Sequence, residues 1–134
     1  MSKPISLAPE GIEALQHLTC RRDVNTVIFR CEQAPRPSVI LEREGNLTHD
    51  ELVRALPADA ARLAVHELAF ATSEGSRRSE TLLILWMPSN DAVQEEDYTV
   101  ACEALKQFLP NAHVHLTARR ADHLDYRRLV ALAG

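Results

Sequence analysis

The chain of 134 residues has few glycines and few aromatic residues, four and 4% respectively. So few glycines leave no glycine-rich phosphate loop and no G-x-G-x-x-G dinucleotide fingerprint. Its three cysteines, Cys20, Cys31 and Cys102, are far apart and odd in number, which argues against both a disulfide framework and a zinc ribbon. These absences disfavour nucleotide-binding and disulfide-rich classes and indicate a reducing compartment, the cytoplasm.

Long apolar runs and a basic excess are also missing. The longest apolar run, residues 82–87, is far shorter than the roughly 20 residues of a membrane-spanning helix, and the N-terminus has no apolar segment typical of a secretory signal. The net charge of -4 argues against a broad nucleic-acid surface. With 46% hydrophobic and 25% charged residues, residues 1–134 are expected to form one globular domain.

Hydrophobic spacing predicts a mixed α/β domain. The predicted helices cover residues 9–19, a short segment that Thr48 caps and Pro57 ends, residues 91–109, and a last helix capped by Asp122. The predicted strands cover residues 24–32, 38–44, 62–72, 77–87 and 113–118. Because the run at 82–87 is continuously apolar, we expect helices on both faces of the sheet.

The long predicted helix has two different sides. Its expected buried side carries Tyr98, Ala101, Leu105 and Phe108, which recur at helical spacing. Acidic residues at positions 95–97 fall in its first turns, where the helix dipole already favours negative side chains. The dipole therefore accounts for this acidic cluster without any catalytic chemistry.

Candidate catalytic groups are few. His113 and His115 share one side of the last predicted strand, but a zinc site needs three or four ligands and no other is near in sequence. Cys20 lies beside Arg21 and Arg22, which would favour a thiolate, although an ordinary half-buried thiol is the simpler interpretation. We expect a protein without enzymatic activity, cofactor or metal, and keep a small cytosolic α/β enzyme as the remote alternative.

Three basic pairs are conspicuous in this acidic chain. They are Arg77 and Arg78, Arg119 and Arg120, and Arg127 and Arg128. Each pair alone is typical of a solvated surface. If the three converge on one face, they would bind an acidic protein partner.

Residues 47–92 resemble the actin-depolymerising-factor homology (ADF-H) domain of cofilins. The matching features are Leu56-Pro57, the strand from Arg62 to Phe70, the turn Glu74-Gly75, Arg78-Ser79 and Trp86-Met87-Pro88. Further matches at Tyr98, Ala104-Leu105 and Asp125-Tyr126 extend the resemblance over almost the whole chain. It implies an α/β (α+β) fold with a central mixed sheet of five or six strands between helices, and a monomeric, cytoplasmic partner of the actin cytoskeleton.

Two branches of this superfamily are candidates. In cofilins the long helix begins with two basic residues, and the alignment places Val93 and Glu95 there instead. Glia maturation factor, which acts on Arp2/3 complex at actin branches, also lacks that basic pair. Its sequence also resembles this chain around Arg21-Arg22 and residues 47–52. We therefore favour a glia-maturation-factor-like protein that promotes filament or branch disassembly, with a divergent cofilin binding actin monomers and filaments as the alternative.

The resemblance implies a first partner surface built from the N-terminus, the residues after the first helix, and the long helix. Its expected members are Ser2, Lys3, Pro4, Arg21, Arg22, Val93, Gln94, Glu95, Thr99 and Glu103. Ser2 is the candidate for regulatory phosphorylation, because added negative charge beside the helix would repel the partner.

A second surface, at the hairpin tip and the last helix, is implied as well. Its expected members are Arg77, Arg78, Glu80, Arg127 and Arg128. Glu80 stands where a lysine is usual in cofilins, and Ala131 and Leu132 replace charged positions. We therefore expect weak contact with a second filament subunit and poor severing of bare filaments.

Overall fold

The computed structural model describes residues 6–21, 23–32, 38–89, 92–110 and 112–133. Within these residues it has four α-helices, α1 (Pro9–Gln16), α2 (His49–Ala55), α3 (Ala92–Lys106) and α4 (Tyr126–Ala133). The strands of the same part are β1 (Ser6–Leu7), β2 (Thr26–Glu32), β3 (Ser38–Gly45), β4 (Arg62–Ala71), β5 (Arg77–Trp86) and β6 (Val114–Ala118). The predicted mixed sheet between helices is confirmed.

The six strands form one sheet in the order β1-β3-β2-β4-β5-β6. The central strands pair antiparallel, and the outer strands β1 and β6 run parallel to their neighbours. The predicted hairpins of β2 with β3 and of β4 with β5 are both confirmed. The irregular loop predicted at residues 33–37 lies outside the described residues. Strand β1 was not predicted, because two residues show no hydrophobic period.

Local sequence signals fix the start of α2 and the turn after β4. Thr48 Oγ1 accepts a hydrogen bond from Glu51 N at 3.1 Å, and Glu51 Oε1 accepts one from Thr48 N at 2.9 Å. This confirms the predicted capping box, and hydrogen bonding of the Glu51 carboxyl to Thr48, first of all to its backbone N–H, lowers the pKa of Glu51. In the β4–β5 turn Gly75 has φ of 86°, a conformation that glycine adopts without steric cost.

Two hydrophobic cores lie on the two faces of the sheet. Along the buried run at 82–87, odd-numbered residues pack in one core with α1 and α3, and even-numbered residues pack in the other with α2 and α4. All six of these residues are buried, which confirms the prediction of a strand covered on both faces. Helices α3 and α4 therefore lie on opposite faces of the sheet.

Two predictions near the C-terminus are wrong. Phe108 is 42% exposed, because α3 ends at Lys106 and Phe108 follows in a turn. Asp122 does not cap α4, which begins only at Tyr126, after a separate 3₁₀ turn over Ala121–Leu124. Leu124 and Leu129 are both fully buried against the same core. Five residues apart, they would point about 140° away from each other on one continuous helix, so the chain breaks between them.

Candidate partner-binding surfaces

Four of the predicted residues lie together on the outer side of α3. Gln94, Glu95, Thr99 and Glu103 are partly or fully exposed, whereas Tyr98, Ala101 and Leu105 are buried against the sheet. The spacing of 95, 99 and 103 places those three side chains above one another along the helix. We call the set Gln94, Glu95, Thr99 and Glu103 the α3 surface.

The α3 surface forms one wall of a groove. The space between α3 and β6 is about 200 Å³, and Glu95, Thr99 and Glu103 line it on the helix side. His115 and Thr117 line it on the strand side. The groove thus gives the predicted binding residues a concave setting rather than an isolated helix face.

Glu95 is already paired within the molecule. Its Oε1 accepts a hydrogen bond from Arg119 Nη2 at 2.8 Å, and both side chains remain about 40% exposed, at 42% and 39%. The sequence did not predict this contact, because the two residues are 24 positions apart and meet only where the chain leaves β6 beside α3. Arg119 therefore adds a cation to the end of the α3 surface where the resemblance to cofilins implies basic residues.

Of the remaining members of the first predicted surface, Arg21 alone is described with its side chain. Ser2, Lys3, Pro4 and Arg22 lie outside the described residues, as does the side chain of Val93. Arg21 ends a π-helical turn after α1, and its Nε lies 3.5 Å from Asp23 Oδ2.

Arg21 belongs to a different end of α3. Thr19 and Cys20, in the π-helical turn that Arg21 ends, line a crevice with Phe108 and Pro110, which follow the C-terminal end of α3. That end is roughly 16 Å along the helix axis from Glu95. Sequence spacing alone could not show this separation.

The hairpin and the helix that carry the second predicted surface lie next to each other. A cavity of about 480 Å³ lies between the β4–β5 hairpin and α4, and Phe70, Thr72, Arg78 and Val130 are among its lining residues. On the same side, Tyr126 Oη donates a hydrogen bond to the carbonyl oxygen of Ala69 at 3.0 Å. This bond ties the start of α4 to the hairpin. Arg77, Arg127 and Arg128 are exposed.

Arg78 is held within the hairpin rather than left free. Its guanidinium carbon lies 5.9 Å from the centroid of the Phe70 ring, and its Nη2 donates to Glu80 Oε1 at 2.8 Å. Arg120 is similarly paired, with Nη2 3.2 Å from Asp122 Oδ2. The three basic pairs therefore do not form one uncompensated patch.

Burial disfavours the thiolate form of two of the three cysteines. Burial, with a smaller contribution from Asp97, raises the pKa of the Cys31 thiol to about 12, and burial also raises the pKa of Cys102. Among the described residues no group of three His, Cys, Asp or Glu side chains is arranged to hold a metal ion. In that same part of the chain, no helix is both long and apolar enough to cross a membrane.

The chain is similar in sequence to a known protein family and to several curated proteins. Residues 4–132 match the family model of the cofilin/tropomyosin-type actin-binding proteins. Actin-depolymerizing factor 3 of Arabidopsis thaliana is 30% identical over 111 residues, which cover 81% of this chain and 79% of that protein. Actophorin of Entamoeba histolytica is 26% identical over 130 residues, with 95% and 93% covered.

Solved structures share the fold. Streptomyces griseoflavus cofilin superposes with a TM-score of 0.84 at 19% identity, covering 98% of each chain. Human coactosin-like protein superposes with a TM-score of 0.76 at 14% identity, covering 96% of each chain. The chain belongs to the family of cofilin/tropomyosin-type actin-binding proteins, which are non-enzymatic.

Proposed function

We propose that this chain binds actin through the α3 surface, as a monomeric, non-catalytic regulator in the cytoplasm. The observation that carries the proposal is the exposed row at positions 95, 99 and 103 beside a groove, in a member of an actin-binding family. In this proposal Ser2, Lys3 and Pro4 extend the surface, and phosphorylation of Ser2 weakens binding by adding negative charge.

Weak severing is the second part of the proposal. Filament disassembly in this family needs contacts with two neighbouring subunits. In the second surface here Arg78, one of four arginines, is paired with Glu80, and Ala131 and Leu132 stand where the resemblance implies charged residues. We infer that the chain binds actin monomers well and bare filaments poorly. Co-sedimentation with filaments, run beside a monomer-binding titration, tests this. Strong severing of bare filaments at cofilin-like doses would contradict it.

Arp2/3 complex is the second candidate partner. Glu95, at a position where the resemblance to cofilins implies a basic residue, favours a glia-maturation-factor-like role at filament branches. A pull-down with purified Arp2/3 complex distinguishes the two partners, because the actin proposal expects weaker capture of the complex than of actin monomers. Failure to bind either partner would contradict both candidates.

Reversing the charge of Glu95 is expected to strengthen actin binding. In Glu95→Lys the ion pair is lost, Arg119 is released, and a basic residue returns where cofilins carry one. We expect the dissociation constant for monomeric actin to fall about tenfold. Glu96→Lys is the matched control, since Glu96 is the exposed neighbour with the same charge. Equal effects of the two variants would show that only net charge matters.

Reversing the charge of Glu80 is expected to increase severing. Glu80→Lys removes the carboxylate that holds Arg78 and adds a second cation to the hairpin. We expect filament affinity to rise about fivefold, roughly 1 kcal/mol, with a matching rise in severing under single-filament microscopy. Asp59→Lys, at an exposed site after α2 that does not line this cavity, is the control. If severing is unchanged in Glu80→Lys, the second surface does not contact the filament.

A further inference from the structure

Strand β6 forms an open edge of the sheet. Its inner side pairs with β5, and no other strand of the described residues pairs with its outer side. Ala118 O accepts from Met87 N at 2.8 Å, so this carbonyl points inward. Because backbone groups alternate in direction along a strand, those of His115 and Thr117 point outward. An unpaired edge of this kind is a template for another extended chain.

Few features of β6 prevent its open edge from pairing with another strand. Strand β6, with the sequence VHLTA, contains no lysine, proline or acidic residue, which are the usual means of blocking an edge. Its shortness is the remaining safeguard, and it also sets the length of any added strand to about five residues. The edge is therefore available for a short extended segment.

An apolar groove runs between this edge and α4. Its volume is about 500 Å³, and its lining residues are Leu116, Thr117, His123, Arg128, Ala131 and Leu132. Leu132 is 57% exposed, the largest exposure among the large hydrophobic side chains of the described residues. A side chain of an added strand would cover it and gain the free energy of apolar burial.

The charge of the groove indicates what kind of segment fits. None of its lining residues is acidic, and within the described part of the chain Arg128 has no ion pair, whereas Arg119 and Arg120 are paired with carboxylates. Arg128 can therefore bind a carboxylate of a partner without losing an internal one.

We propose that the groove between β6 and α4 binds an extended, acidic segment of a partner protein, which adds to β6 as a seventh strand. An apolar side chain of the segment covers Leu132, a carboxylate pairs with Arg128, and main-chain bonds form with His115 and Thr117. The groove lies on the α4 side of β6 and shares Leu116 and Thr117 with the groove beside the α3 surface. Peptide binding is measured without actin, so its result does not depend on the proposed actin contact.

The test uses a fluorescent synthetic peptide in which leucine and glutamate alternate, titrated against the full chain by anisotropy. We expect saturable binding, and we expect amide hydrogen exchange at His115 and Thr117 to slow when the peptide is present. Replacing glutamate by lysine in the peptide should reduce affinity at least tenfold. No saturation, or equal affinity for the lysine peptide, would overturn the proposal.

Matched variants locate the site. Arg128→Glu and Leu132→Asp should each weaken peptide binding about tenfold, and because both side chains are exposed neither should unfold the chain. Arg127→Glu carries the same charge change on the neighbouring residue, which does not line the groove, and should stay within about threefold of wild type. Equal losses in the two arginine variants would overturn the proposal.

A second copy of the chain is the competing occupant. Sedimentation velocity over a range of concentrations is expected to show a monomer. A dimer that Leu132→Asp abolishes would overturn the proposal, because the groove would then be filled by another copy of this chain.

Discussion

Lowering the pH from 6.5 to 4 is expected to remove about 3 kcal/mol of unfolding free energy through a single side chain, His66. His66 is 3% exposed, and its Nδ1 lies 2.8 Å from Thr26 Oγ1. The Thr26 hydroxyl itself donates to Asn25 Oδ1 at 2.8 Å. It therefore accepts from a protonated Nδ1, which fixes the neutral tautomer of His66.

The loss of stability at low pH follows from the pKa of His66. Burial, with a smaller contribution from His49, lowers this pKa from 6.5 to about 4 in the folded chain. Between these two values the unfolded chain binds a proton that the folded chain does not. The stability that His66 contributes is therefore complete above pH 6.5 and is lost as the pH falls through 4.

Urea denaturation at pH 7 and pH 4 measures this effect. His66→Gln should make the difference in unfolding free energy between the two pH values about 3 kcal/mol smaller than in wild type. His113→Gln, which removes an exposed histidine, should leave that difference unchanged. Identical pH dependence in wild type and His66→Gln would show that His66 does not titrate as described.

Tyr98→Ala is expected to cost about 3 to 5 kcal/mol of unfolding free energy, the largest effect of any substitution considered for α3. Tyr98 is 4% exposed in the core shared by α3 and the sheet. Its hydroxyl accepts a hydrogen bond from Cys31 N at 3.0 Å, at the end of β2. Tyr98 thus fixes the position of α3 over the sheet, and with it the α3 surface.

Two further variants separate the contributions of Tyr98. Tyr98→Phe keeps the ring and removes only the hydrogen bond, so it should cost about 1 kcal/mol. Thr99→Ala, at the exposed neighbour, should cost less than about 0.5 kcal/mol. If Tyr98→Ala costs no more than Thr99→Ala in the same denaturation series, packing of this side chain does not hold α3 in place.

The parts of the fold that the sequence predicted are those with strong local patterns. The alternating and continuous apolar runs of β4 and β5, and the reciprocal bonds of Thr48 and Glu51, depend on near neighbours in the chain. Strand β1 depends instead on pairing with Ser38 and Val39, a long-range contact that two residues cannot signal. The break before α4 likewise arises from two leucines that must face the same core.

In the candidate site, too, local patterns were predictable from the sequence and long-range contacts were not. Helical periodicity was enough to place Glu95, Thr99 and Glu103 on one side of α3. The pairing of Glu95 with Arg119 depends on how β6 returns beside α3, and the position of Arg21 depends on how α1 packs against the sheet. Residue spacing could not predict the Glu95–Arg119 pair or the position of Arg21. Both depend on how the sheet brings together segments that are far apart in the sequence.

The central claim, that the α3 surface binds actin, is tested most directly by the affinity of Thr99→Trp for monomeric actin. Thr99 is exposed at the middle of the α3 surface, and its hydroxyl bonds only within the helix, to Glu95 O at 2.7 Å. An indole there would prevent close docking, so the account predicts at least a hundredfold weaker binding, roughly 2.7 kcal/mol. Ala58→Trp, at an exposed site after α2, should bind like wild type. Wild-type affinity in Thr99→Trp, with the fold intact, would contradict the account.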